Sequence, residues 1–170
     1  PRPTTQATMT DYRRNWSAGG TYFFTVATAI RPHGPLVEHI EVLRGAFRAV
    51  RVEHPFEIDA IVILPDHLHT IWTLPPNDYD YALRWKKVKT LFSKRMPKRE
   101  PRSASRTAKG ERGIWQRRYW EHMIRDDDDL SRHVDYIHFN PVKHGLVPRV
   151  SDWPHSSFHQ YVKRGDLPAD

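Results

Sequence analysis

A chain of 170 residues holds one domain with a proper core and is too short for two comfortable ones. It contains no cysteine, which excludes disulfides, thiolate metal sites and a cysteine nucleophile and points to a reducing cytoplasm. Of its 27 Lys and Arg and 20 Asp and Glu, residues 84–118 alone carry 14 basic and 2 acidic side chains, leaving 13 against 18 elsewhere. That concentration predicts an anionic polymer as partner, because neutralising several phosphates releases their counterions.

The first segment, "PRPTTQATMT", lacks the apolar stretch of a signal peptide, and residues 1–16 read as an N-terminal arm. After Gly19-Gly20, "TYFFTVATA" is rich in aromatic and β-branched residues and predicts a strand. The longest apolar run, residues 21–30, is about half of what a bilayer span requires, so no membrane crossing is expected. Over 36–50 the period changes, with Ile40, Leu43, Phe47 and Val50 at helical spacing. "FEIDAIVIL" and "HLHTIWTL" are two strands joined tightly through Pro65-Asp66, hence a hairpin. From 79 to 96, Tyr81, Trp85, Val88 and Phe92 align on one face, while Arg84, Lys86, Lys87, Lys89 and Lys94 take the others. Residues 97–113 have no large apolar side chain and are expected to form a mobile basic loop. "IWQRRYWEHMI" resumes as a strand. Asp126 is placed to cap a third helix, with carboxylates over its first turn, and Asn140-Pro141 is expected to end or bend it.

The order strand, helix, strand, strand, helix, strand describes an α+β fold of ferredoxin-like type. It is a βαββαβ antiparallel sheet with helices on one face, followed by an additional C-terminal helix. The domain is expected over 17–140, with 141–170 as an extension packed on it.

Within the third strand His67 and His69 are two apart, so both imidazoles project from one face. Such a pair can bind one metal ion if another ligand arrives from elsewhere, or can simply face water at a strand end. In the third helix Tyr136 and Asn140 are four apart and share a face. A tyrosine beside a His-x-His metal site suits transesterification of a phosphodiester, since a cation polarises the phosphoryl oxygen and the phosphotyrosine bond conserves the energy for rejoining. The alternative is a tyrosine that only packs its ring.

Together, "PDHLHTIWTLP" and "GIWQRRYWEHMIRDDDDLSRHVDYIHFNPVKHGLV" resemble the REP-associated tyrosine transposases, a branch of the HUH single-strand nucleases. The likeness runs from "YRRNWSAGGTYFFTV" to "DWPHSSFHQYV", nearly the whole chain. The resemblance implies that His67 and His69 are the metal-binding pair, Tyr136 the nucleophile carried by the C-terminal helix, and Asn140 the third ligand, where related single-tyrosine transposases use glutamine. It implies Mg²⁺ or Mn²⁺ as cofactor, the nitrogen ligands favouring Mn²⁺. It also implies a substrate of single-stranded DNA beside REP-type palindromic hairpins, cleaved to a 5′-phosphotyrosine and a free 3′ hydroxyl.

Candidate DNA contacts are Arg13 and Arg14 in the arm, Lys87, the run Trp115, Arg117 and Arg118, and Lys143 and His144 beyond the nucleophile. Two rivals stand beside the transposase reading: a hairpin-binding protein that has lost transposition, and an RNA-binding module reading bases from an open sheet face. A monomer acting in cis and a homodimer contributing tyrosine in trans are both compatible with the sequence.

Overall fold

The computed structural model describes residues 17–29, 34–98 and 100–169. Four strands form one antiparallel sheet in the order β2-β3-β1-β4, with β1 at Thr21–Ala27, β2 at Glu57–Ile63, β3 at His67–Thr73 and β4 at Trp120–Met123. Two βαβ units interleave in this order, as the ferredoxin-like reading requires.

Period-two alternation divides the apolar residues between two faces. Phe24, Leu68 and Trp72 point to one face, where they meet Leu43, Phe47 and Val50 of α1 (Ile40–Glu53) and Trp85, Val88 and Phe92 of α2 (Tyr81–Arg95). The indoles of Trp72 and Trp85 stack there with ring centroids 4.2 Å apart. Phe23, Ala60, Val62 and Ile71 point to the other face, where Val134 and Ile137 of α4 (Asp127–Lys143) cover them. The two helices of the βαβ units therefore share a face, and the additional helix closes the opposite one.

Four local expectations are corrected. The first helix begins at Ile40, because Leu36 is held in the core by a hydrogen bond from its amide to the Pro65 carbonyl. The expected strand over 114–124 is interrupted: Trp115 bridges Thr28, and the ladder resumes only at Trp120. Between them Arg117 reaches Glu111 and Ser105 while Tyr119 packs against the α1–α2 cluster. The 97–113 segment contains a short helix, α3 (Ala104–Ala108), capped by Ser103, and Arg112 donates to the carbonyls of Ser93, Met96 and Pro97 and pairs with Glu100. Finally, Arg84 is not on a solvated face. It is 1% exposed, and its guanidinium donates to the carbonyls of His54, Asp80 and Pro55 and to the Asp78 carboxylate, a set of acceptors that its planar fork can satisfy at once.

The last turn of α4 matters for function. The helix continues through Pro141 to Lys143 instead of stopping. A proline this near the C-terminus removes only one amide donor, and the chain ends normally with His144 N–H bonding to the Asn140 carbonyl and Gly145 in a left-handed conformation. Beyond it, residues 150–164 form a short 3₁₀ turn and α5 (Phe158–Arg164). This tail lies along the outer edge of β2: Ile63 N–H bonds to the His155 carbonyl, Ser157 N–H to the Ile61 carbonyl, and the Trp153 indole to the Ile63 carbonyl. An edge that would otherwise template intermolecular pairing is thereby covered.

Candidate active site

His67 and His69 lie on the α4 side of β3, in register with Ala27 and Thr25 of β1. Each ring is held from behind at Nδ1. The Asp66 carboxylate lies 2.6 Å from Nδ1 of His67, and the Thr25 hydroxyl 2.8 Å from Nδ1 of His69. A carboxylate only accepts, so Nδ1 of His67 carries a proton, and in the neutral ring the lone pair is therefore on Nε2. Asp66 is itself fixed by the turn that contains it, whose carbonyl accepts from both the amide and the hydroxyl of Thr28. Gly34 packs so closely against this turn that a Cβ there would collide with the Asp66 backbone.

Helix α4 brings the remaining groups. Tyr136, Asn140 and Lys143 are spaced four and three apart, so they form one stripe. The Tyr136 ring lies 5.2 Å from the His69 ring and 6.0 Å from Phe23, and remains 38% exposed. Lys143 Nζ sits 4.7 Å from the centre of the Tyr136 ring. The His144 ring is 5.0 Å from that of His67, the same separation as between His67 and His69.

Asn140 is fully buried and donates through its amide nitrogen to the Tyr136 carbonyl. Its Oδ1 has no hydrogen-bond partner, and neither does Nε2 of His69, although the two side chains are close enough to interact. Buried polar atoms are rarely left unsatisfied, and two on interacting side chains can share a cation. Burial first, then the charge interactions with His67, His144 and Lys143, push the His69 imidazole down to about 3, so the ring is neutral at physiological pH. The donor set of two imidazole nitrogens and an amide oxygen fits a divalent first-row ion.

A second group of donors lies nearby. Ligand atoms of His122, Asp129 and His133 fall within 4.8 Å of one another, an arrangement also compatible with a divalent metal. Here, however, the carboxylate of Asp129 already accepts from His122 at 2.8 Å and from the Arg125 guanidinium at 3.0 Å, and Arg125 holds it well below the usual carboxylate range. A cation at that carboxylate oxygen would compete with the guanidinium. At the other site Nε2 of His69 and Oδ1 of Asn140 have no hydrogen-bond partner among the described residues.

The remaining sequence candidates separate into groups. Lys143 and His144 join the site. Lys87 pairs with Glu53 of α1 on the opposite side of the sheet. Trp115 and Arg117 line a cavity of about 960 Å³ between α2 and the 106–119 segment, together with Lys86, Lys94 and Arg106. Trp115 is 7% exposed there, and Lys89 lies over it and over Tyr119, its ammonium pushed down to about 8 by burial. Arg118 is exposed. Arg13 and Arg14 lie outside the described residues. Sequence reasoning missed Asp66, Thr25 and Asp129. Asp66 adjoins His67 and could have been suspected as its partner; Thr25 is identified only by strand register.

With this geometry in place, comparisons with known proteins are specific. Residues 26–140 match the family described as Transposase IS200 like. A Haemophilus influenzae protein assigned to the REP-associated tyrosine transposases is 48% identical over 163 residues, covering 95% of this chain and 93% of the relative. An Escherichia coli K12 REP-associated tyrosine transposase is 46% identical over 162 residues, covering 95% and 90%. A solved structure of a REP-associated tyrosine transposase bound to a REP hairpin superposes with a TM-score of 0.82 at 46% identity, again covering 95% and 90%. The chain belongs to the IS200-like transposase family and, within it, to the REP-associated tyrosine transposases. It is accordingly an enzyme of the tyrosine transposase class. Among the described residues no helix is long and apolar enough to cross a membrane.

Proposed function

We propose that this chain cleaves and rejoins single-stranded DNA beside REP-type hairpins, with Tyr136 as nucleophile. The observation that carries the reading is the convergence of His67, His69, Asn140 and Tyr136 from two elements far apart in sequence onto one face of the sheet. His67, His69 and Asn140 are the residues that would hold a divalent ion, Mg²⁺ or Mn²⁺. When bound, that ion supplies polarisation of the phosphoryl oxygen and in-line orientation of the backbone.

The protein's own groups do the rest. The Tyr136 hydroxyl attacks phosphorus; the new P–O bond to tyrosine replaces the P–O3′ bond, and the phenolic proton ends on the released 3′ oxygen. The product keeps a phosphodiester, so a 3′ hydroxyl can reverse the step and join strands. Lys143, with its ammonium against the Tyr136 ring, provides positive charge where the phosphate must sit, and the His144 ring lies beside His67. The relative in the solved complex binds a REP hairpin, which supports hairpin DNA as the partner. The RNA-module alternative is disfavoured, because α4 packs over the β1–β3 part of the sheet face that an open RNA-binding sheet would present.

The test is incubation with a labelled single strand carrying a REP-type hairpin and Mn²⁺. A covalent adduct mapping to Tyr136, absent in Tyr136→Phe and in excess EDTA, is the expected result. Adduct formation by Tyr136→Phe would assign the nucleophile elsewhere, and full activity in EDTA would remove the metal from the reaction.

A further inference from the structure

Trp120 opens β4 and is 51% exposed, an unusual state for the largest apolar side chain. Its ring is nevertheless fixed. It lies parallel to His122, 4° from coplanar with centroids 5.9 Å apart, and His122 in turn stacks on His133 at 4.8 Å and 16°. Phe23 buttresses Trp120 edge-on at 5.6 Å and also contacts His133 and Tyr136. The buried Asp129 carboxylate bonds to His122 and lies 3.3 Å from Nδ1 of His133, tying the stack to the first turn of α4. The result is a preorganised aromatic shelf that a flat ligand could cover without first ordering it.

Register locates the shelf. Trp120 is paired with Thr25, and Thr25 with His69, so these three residues form one row across adjacent strands on the Tyr136 side of the sheet. Trp120 therefore lies two strand spacings, roughly 10 Å, from the histidine beside the nucleophile. Arg125 and Arg132, each 64% exposed, flank the shelf with positive charge suited to backbone phosphates. We infer that Trp120 is the stacking platform for the unpaired base next to the scissile phosphate, and that it positions the single strand for attack by Tyr136. This rests on the proposed strand-transfer reading of the same site. Stacking on an aromatic face tolerates any base, so Trp120 would contribute grip and placement while sequence selection lies elsewhere.

The experiment is a cycle between protein and DNA. Cleavage by wild type, Trp120→Ala and Trp120→Phe is measured on a hairpin substrate and on substrates with a single abasic site at each of the positions flanking the cleaved bond. Trp120→Ala should reduce cleavage efficiency roughly ten- to hundredfold, while Trp120→Phe retains most of it. At one flanking position the abasic substitution should cost wild type a similar factor and cost Trp120→Ala almost nothing further. A parallel arm uses Tyr136→Phe protein, with and without Trp120→Ala, and 2-aminopurine at the same positions, where stacking quenches fluorescence on binding without chemistry. Additive losses at every position together with no Trp120-dependent quenching would overturn the inference while leaving the Tyr136 adduct intact. Absence of any adduct with quenching retained would instead overturn the strand-transfer reading and leave Trp120 as a DNA-stacking residue.

Discussion

The hydrogen bond between Thr25 and His69 offers a sharp test of the site, because Thr25→Val keeps the β-branched shape and removes only the hydroxyl. His69 is 3% exposed, and its Nδ1 lies 2.8 Å from the Thr25 oxygen. For Nε2 to bind a cation, Nδ1 must carry the proton and donate it in a hydrogen bond to the Thr25 hydroxyl oxygen. Without that acceptor the N–H is buried and unpaired, which costs about 1–3 kcal/mol. At about 1.4 kcal/mol per tenfold, metal affinity should fall by roughly 10- to 100-fold, the range seen when partners of metal-binding histidines are removed. The assay is cleavage of a hairpin substrate against Mn²⁺ concentration, with the midpoint of urea unfolding in EDTA as a control on folding. The half-saturating Mn²⁺ concentration should rise by that factor, while the rate at saturating Mn²⁺ stays near wild type. An unchanged half-saturation in a folded variant would refute the role assigned to Thr25. A lower rate at saturating metal, without a shift, would place the hydroxyl's effect on the DNA instead.

Three further outcomes follow from the same structure. His69 stays neutral in the fold down to about pH 3, whereas an unfolded imidazole takes up its proton near 6.5. The stability it contributes is therefore complete above 6.5 and lost as pH falls toward 3, by about 1.4 kcal/mol per pH unit. Urea unfolding of wild type and His69→Gln in EDTA between pH 6 and 4 should show a flatter pH dependence in the variant, and equal slopes would contradict the burial argument. Arg84→Ala should destabilise by about 3 kcal/mol, because the His54 and Pro55 carbonyls and the Asp78 carboxylate lose their donor, and Arg84→Lys should recover little since it lacks the fork. A change under about 1 kcal/mol would show that water replaces the guanidinium. Neutralising the exposed Lys98, Arg102, Lys109 and Arg118 together should weaken binding to hairpin and scrambled single strands alike and flatten the log-log salt dependence by about 0.7 for each phosphate no longer neutralised. Loss of the cognate preference with scrambled binding unchanged would mean that these residues read hairpin shape or sequence.

Periodicity made much of this protein legible in its sequence. The alternation in "HLHTIW" placed His67 and His69 on one face, and helical spacing put Tyr136 and Asn140 on another, because side-chain direction is a local property of backbone geometry. The βαββαβ order followed from the same local signals, and Asp126 was recognisable as a cap, its carboxylate accepting from the Asp129 amide. Only the tertiary structure decided what those faces meet. It set α4 against the sheet face opposite α1 and α2, carried the helix past Pro141 so that Lys143 joined the Tyr136 stripe, and paired Thr25 with His69 across 44 positions. It also buried Arg84 and Asp129, charges that composition alone assigns to the surface, by surrounding each with partners supplied mainly by other turns and strands. Such outcomes depend on desolvation and on packing between segments far apart in the chain, and neither is encoded in the spacing of residues along it.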